Sequence, residues 1–583
     1  MTAGPDEQHI SDLISAGDLA AAYDEAMRAI SDDDHSPQMR YLAVLALARM
    51  GAIAQARAAY ESFDIASIGS VDALSLNARL LKDVAFIAPA ENRTGALLAA
   101  AAAYKDVFEK TGDPYPGVNA ATLYRLAGKA DQARTLAKEL SRHTTITDPG
   151  SYYDQVTRAE ILLNMDDVTG AVQALTAAGS MARKDHGSRA TTRNQLKRLA
   201  EAAGLGESEI AKLLAPLASG TVIHFCGRMF RCDASIEARL VADIAGELDR
   251  LDVIAGYGAL ACGADILIAE ALLKRGAELH VVLASSPQAF AATSVAPGGP
   301  GWTARYFACL EAASSLRIVG DDSYARHPSA FGFSTEIAIG LAIIRARHLA
   351  SPARQITIDD RDTSHGNGVA GSTADVARWQ EAGFETIRIV PPALTAPTFP
   401  AKKPETKKPP ERKALSLLFA DFAGFTGLAE NSLPDFWQKV LGSAAEALDE
   451  QGSRVVYRNT WGDACFAVFK EPEAAAQAAW SIQQRLAGVW QVPANSGMRI
   501  SLHYGLVFSG EDPVLQRESI YGREVSRAAR IEPITPPGFV YASENFAAAC
   551  ASRPNTPFRF GYVGRLTLPK NFGEERLYRL TRI

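Results

Sequence analysis

The stretch LFADFAGFTGL, Leu418 to Leu428, is an apolar run that ends at Asp421 and breaks at Gly424. Such a run sets a hard oxygen ligand at a strand end, beside a backbone that can approach a phosphate closely. Forty-two residues on, NTWGDACFAVF places Asp463 after Gly462, in a tight turn opening a second apolar strand. A lone Asp at a strand end is ordinarily a turn former. Two of them, each with its own glycine turn, supply what divalent cations on a triphosphate require.

Around these motifs, Ala414 to Ile583 alternates strands such as ALSLLFADF, RVVYRNTW, CFAVF, MRISLHYGLV and GFVYAS with helices such as FWQKVLGSAAEALDEQ, which predicts an α+β domain. This segment resembles the class III nucleotidyl cyclase catalytic domain, of adenylate and guanylate cyclases, with its ferredoxin-like fold. Asp421-Phe-Ala-Gly-Phe-Thr426, Gly462-Asp463, the strand ending in Tyr504 and Gly505, and SIYGREVSRAARI stand in the family's order. The resemblance implies that Asp421 and Asp463 hold two Mg2+ or Mn2+ ions, with Phe422, Gly424, Phe425 and Thr426 around the triphosphate. Arg530 matches the arginine that stabilises charge at the α-phosphate, and Lys570 the terminal phosphate-binding lysine. The reaction implied is attack of the ribose 3'-oxygen on the α-phosphorus, with release of pyrophosphate.

Three positions depart from the family pattern. Ser526 stands where an Asn is usual, four residues before Arg530; its hydroxyl can still donate one hydrogen bond. The base-reading positions hold Asn459 and Ser519, which both donate and accept, so their chemistry selects no base. ATP is the favoured substrate because bacterial adenylate cyclases with Ser at the second position exist; a pyrimidine (cCMP/cUMP) cyclase of an antiphage system and a catalytically degenerate nucleotide-binding regulator are the alternatives. The family divides each site between two subunits, so both residue sets in one chain imply a head-to-tail homodimer.

Upstream, TVIHFCG, LDVIAGYG, AELHVVLAS, SLRIVGD, RQITIDD and FETIRIV alternate with helical stretches, predicting an α/β doubly wound parallel sheet over 216–392. Gly256, Gly258 and Gly263 lie between a strand and a helix, and Gly227 and Arg228 follow the first strand. Together these resemble the Rossmann-like SLOG superfamily, named from the SMF and LOG proteins. That resemblance implies a nucleotide-derived ligand at these five residues; tight turns and helix packing explain the glycines equally. It also leaves open that this domain is the principal enzyme. Asp233, Glu237, His280 and Glu336 read as surface or capping groups.

Residues 1–215 are rich in Ala and Leu and form an all-α segment. GDLAAA from Gly17, GAIAQA from Gly51, GKADQA from Gly128 and DDVTGA from Asp166 recur at spacings of 34, 77 and 38, with one unit expected between the second and third. They resemble the tetratricopeptide repeat and imply a surface for a protein partner. Residues 393–413 form a linker: seven of the 29 prolines and four lysines fall between Pro391 and Pro410, leaving nothing to pack a core. The catalytic segment then runs over 414–583.

The chain's 583 residues and 47% hydrophobic content support several cores, and a net charge of -6 excludes a general basic field for nucleic acid. Six cysteines without zinc spacing, a start lacking a signal-peptide pattern, and a charge-free stretch from Leu279 to Ala304 broken by Pro and Gly predict a cytoplasmic chain with no membrane segment.

Overall fold

The computed structural model describes residues 5–32, 36–181, 185–359, 370–392, 394–399, 410–489, 497–554 and 556–582. It divides into two units, one mainly Met1–Ser219, the other mainly Gly220–Ala346, Pro352–Phe560 and Arg565–Ile583.

The first unit is helical, and its four sequence motifs are one structure. Gly17, Gly51, Gly128 and Asp166 all have positive φ, at 82°, 75°, 76° and 66°. The next residue's amide reaches back five positions in each case: Asp18 to Leu13 at 2.8 Å, Ala52 to Leu47 at 3.0 Å, Lys129 to Tyr124 at 2.8 Å and Asp167 to Leu162 at 2.9 Å. This bond closes a helix through a left-handed residue and turns the chain into the next, antiparallel helix. Where Asp166 replaces glycine, Arg125 and Arg134 each donate to its carboxylate at 2.6 Å, offsetting the left-handed conformation. The unit expected between the second and third motifs lacks this turn. There Val71–Ile87 and Ala90–Thr111 are joined by an extended Ala88 and Pro89.

The second unit holds two sheets. Strands β1 (Thr221–Gly227), β2 (Val253–Gly258), β3 (Glu278–Leu283), β4 (Ser315–Ile318), β5 (Ala353–Ile358) and β6 (Thr386–Ile389) form a six-stranded sheet ordered β4-β3-β2-β1-β5-β6. Every adjacent pair is parallel, and the order reverses between β1 and β5, the crevice at which open α/β sheets bind ligands. The other sheet has eight strands. These are β7 (Arg412–Ala423), β8 (Val455–Trp461), β9 (Ala464–Phe469), β10 (Gly497–Asp512), β11 (Arg517–Tyr521), β12 (Val540–Ser543), β13 (Phe558–Thr567) and β14 (Glu574–Arg582). Their order is β13-β14-β12-β10-β7-β9-β8, with β11 paired to β10. Of the proline-rich segment, 393 and 400–409 lie outside the described residues.

The two sheets do not keep separate cores. Val282, Ala284, Phe333 and Ile337 of the parallel-sheet region belong to one buried cluster with Leu418, Ile500 and Phe546. Pro328–His348 is the described helix long and apolar enough to cross a membrane, and most of its apolar surface is buried inside the protein instead. Glu336 on this helix accepts from the Tyr504 hydroxyl and from Arg553, both at 2.8 Å, so it is an internal anchor and not the surface group its sequence context implied. His280 is likewise buried, stacked 4.3 Å from Tyr257. Asp233 does cap a helix, accepting from the amides of Ser235 and Ile236 at 2.9 Å.

Gly340 marks how tightly the helix is seated, because a Cβ there would lie 2.0 Å from the carbonyl oxygen of Ala548. Backbone cannot yield as a flexible side chain can. Gly340→Ala is therefore expected to destabilise the second unit by on the order of 1 to 3 kcal/mol, as a lowered urea midpoint will report.

Candidate active site

Asp421 lies near the end of β7, which is held on one side by β9 and on the other by β10. Beyond it Gly424 turns at φ 94° into a short 3-10 segment, Phe425–Gly427, that leaves Gly424 and Thr426 exposed. Phe422 is buried and meets Phe436 edge-on at 5.0 Å; its side chain is core, so it reaches a ligand only through its backbone. Phe425 packs on the same Phe436. Asp463 sits after Gly462, which turns at φ 60° between β8 and β9.

This topology brings the two carboxylates together. Burial, and then the neighbouring Asp421 carboxylate, raise the Asp463 pKa, while the Phe422 amide works against the rise. Arg499 neutralises the pair from β10. It lies opposite Asp421 in the β7–β10 register, forms an ion pair with Asp421, and places its Nε 2.7 Å from Glu532. Glu532 is pushed up to about 7, first by burial and then by Asp421 and Asp463, with Arg499 opposing. Among the described residues no group of three or more His, Cys, Asp or Glu side chains could enclose a metal. Two adjacent carboxylates with an exposed glycine turn beside them nevertheless fit a divalent cation that takes its other ligands from backbone, water and phosphate.

Ser526 and Arg530 lie on the helix Arg523–Ile531, four residues apart and so on one face. Arg530 Nε is buried with no hydrogen-bond partner among the described residues. Asn459 on β8 accepts from Arg517 at 2.9 Å, and Arg517 precedes Ser519 by two on β11, so the three share one locality. Lys570 is exposed at the tip between β13 and β14, where it and Asn571 both have positive φ.

In the parallel sheet the glycines serve packing. A Cβ on Gly227 would meet Ala264 at 2.3 Å, on Gly256 Leu272 at 2.4 Å, on Gly258 Phe225 at 2.6 Å and on Gly263 the Phe230 amide at 2.8 Å. The helix amide that a phosphate would use, Ala264 N–H, already donates to the Arg228 carbonyl at 3.2 Å. These four glycines therefore have a packing role of their own. Buried Asp265 and Asp375 lie nearby, raised by burial to about 8 and about 7.

Sequence reading missed Arg499, Glu532 and Arg517. Arg517 was legible from the two-residue period it shares with Ser519. Arg499 was marked only by being a charge within an apolar strand, and Glu532 only by following Arg530 by two.

The family described as "Adenylate and Guanylate cyclase catalytic domain" matches residues 408–581, and "Tetratricopeptide Repeats-Sensor" matches 18–124. The carboxyl-terminal region is a class III nucleotidyl cyclase catalytic domain, and the amino-terminal region contains tetratricopeptide-type repeats. A search of curated proteins finds no match. Among solved structures, the adenylyl cyclase CyaB from P. aeruginosa is 19% identical over 30% of this chain and 96% of its own, with a TM-score of 0.26. The guanylate cyclase domain of RhGC from Catenaria anguillulae, in complex with GTP, is 20% identical over 29% and 96%, with a TM-score of 0.25.

Glu532 gives the metal-free site a measurable signature. Its carboxyl shifts from 4.5 to about 7 on folding, so between those values the folded chain holds a proton that the unfolded chain releases. Stability from this group is therefore present at low pH and lost as pH rises toward 7. With a chelator present, raising pH from 5 to 8 should cost wild type on the order of 2 kcal/mol more than Glu532→Gln, read from urea denaturation.

Proposed function

We propose that this chain is a signalling nucleotidyl cyclase, converting a nucleoside triphosphate to a 3',5'-cyclic nucleotide and pyrophosphate. The observation that carries this reading is the β7–β9 register, Ala420 opposite Cys465, which sets Asp421 beside Asp463 at glycine turns open to solvent. Two Mg2+ or Mn2+ ions held there would supply Lewis-acid chemistry, easing loss of the 3'-hydroxyl proton and neutralising phosphate charge. The exposed turn Gly424–Thr426 offers backbone amides to the triphosphate. As the bond from the 3'-oxygen to the α-phosphorus forms and the bond to the pyrophosphate oxygen breaks, Arg530 stabilises the developing charge with its planar fork of donors. Its buried, unpartnered Nε supports that role. Ser526 donates to ribose or phosphate, and Lys570, on its mobile stem, to the terminal phosphates.

A homodimer completes the site, with Arg530 and Ser526 of one copy facing the metal carboxylates of the other. Support comes from the exposed apolar side chains Trp461, Val514, Leu515 and Tyr521 on the β8–β9 and β10–β11 hairpins. The repeats would receive a protein partner, and the middle domain would sense a nucleotide-derived ligand at its β1–β5 crevice, with Arg228 as its cation. Antiphage or stress signalling suits a sensor joined to a cyclase. A degenerate nucleotide-binding regulator is the second reading, favoured by Ser526 in place of Asn.

The base contacts include Arg517. A guanidinium only donates, so beside Asn459 and Ser519 it favours a base with a carbonyl acceptor, guanine or a pyrimidine. Adenine, favoured on the Ser519 precedent, offers ring nitrogens as acceptors and no carbonyl.

Asp421→Asn or Asp463→Asn should lower cyclisation at least a hundredfold while the fold persists, measured as cyclic nucleotide by mass spectrometry; near wild-type turnover at saturating Mn2+ would remove the site assignment. Mixing Asp463→Asn with Arg530→Ala chains should restore activity through one intact composite site, and verified heterodimers that stay inactive would refute the shared site. In competition among the four triphosphates, Arg517→Ala should narrow the preference between carbonyl-bearing bases and ATP by roughly tenfold or more. Asn459→Lys should shift it toward ATP. Unchanged profiles in active variants would take these residues out of the base pocket.

A further inference from the structure

Beside Ser526 and Arg530, the helix Arg523–Ile531 is held by a chain of partly buried charged groups. Glu524 accepts from His503 Nε2 at 2.6 Å and faces Arg527 Nε at 3.4 Å. His503 is fully buried on β10, and its other ring nitrogen meets Ser543 Oγ at 2.7 Å. Gly505 makes room for this arrangement, because a Cβ there would lie 2.7 Å from Glu524 Cγ. Arg527 Nη1 donates to Glu575 Oε2 on β14 at 2.7 Å. The other Glu575 oxygen faces Arg317 Nη2 at 3.6 Å. Arg317 also donates to Asn545 Oδ1 at 2.7 Å and pairs with Glu544.

Arg317 belongs to neither the helix nor its sheet. It lies on β4, the edge strand of the six-stranded parallel sheet. One carboxylate, Glu575, is therefore shared between a cation on the catalytic helix and a cation on the middle domain.

We propose that Arg317 is a positioning residue for cyclisation, through which the edge of the middle domain sets the placement of Ser526 and Arg530. This rests on the cyclase reading above. Without Arg317, Glu544 keeps Arg576 at 3.6 Å, whereas Glu575, in a poorly solvated place, depends on Arg527 and draws it closer. Arg527 is one residue from Ser526 and three from Arg530, so its displacement moves the face that meets substrate. Small misplacements of a catalytic group change the rate of the chemical step far more than they change ground-state binding.

The test uses the full-length dimer, Mn2+ and the best of the four triphosphates. Arg317→Met should lower kcat on the order of ten- to a hundredfold with KM changed less than about threefold. Arg317→Lys, which restores the charge without the fork, should recover part of the loss. Arg527→Met should make the Arg317→Met change nearly silent, since the link is then already broken. Wild-type kcat in a folded, dimeric Arg317→Met variant overturns the proposal, as do effects of the two substitutions that simply multiply. Should Arg317→Met fail to fold, Glu575→Gln keeps the shape and removes the shared charge; a fall in kcat at constant KM supports the proposal, and an unchanged kcat overturns it. Wild-type protein that makes no cyclic nucleotide from any triphosphate would instead sink the cyclase reading itself, and the proposal with it.

Discussion

Two partly buried carboxylates set side by side by the β7–β9 register, Asp421 and Asp463, are the constraint around which the catalytic sheet is organised. Like charges at that spacing repel, and burial removes the water that would screen them. The fold answers with strand register. Because β7 runs between β9 and β10, the end of β7 meets the β8–β9 turn on one side and Arg499 on the other. Arg499 in turn leans on Glu532, the residue that directly follows the helix Arg523–Ile531. Asp421 and the end of the helix Arg523–Ile531 are thus joined within one chain through a single guanidinium.

A second dependency links the sheets. Pro328–His348 is apolar on nearly all sides, which in water demands burial on nearly all sides. One face packs on the parallel sheet's region and another on the cyclase core, with Gly340 against Ala548 and Glu336 under Tyr504. A helix so enclosed cannot shift without disturbing both cores, since close-packed interiors transmit displacement. The middle domain is therefore part of the body that carries the active site.

Much was readable from local pattern. The four Gly- or Asp-centred turns of the repeat unit share a hydrogen-bond scheme that depends only on residues within one turn of the helix, and they recur in sequence for that reason. Strands β1–β6, each a short apolar run between helices, announced a parallel sheet, and the positions of Asp421 and Asp463 followed from strand ends and glycine turns. The glycines of the middle domain carried no such answer, because a glycine admits close approach of any group. The sequence does not say whether that group is a ligand or the protein's own Phe225, Phe230, Ala264 and Leu272.

What the sequence determined by itself was therefore the periodic and the local: which segments are helix or strand, where they turn, and which acidic residues end a strand. Only the tertiary structure decided the rest. It brought Asn459 to Arg517 across 58 residues, Arg499 to Asp421 across 78, and Arg317 to Asn545 across 228. Separations of that size leave no periodic trace, because the contacts arise from sheet order and helix burial, which are properties of the whole packed chain and not of any window along it.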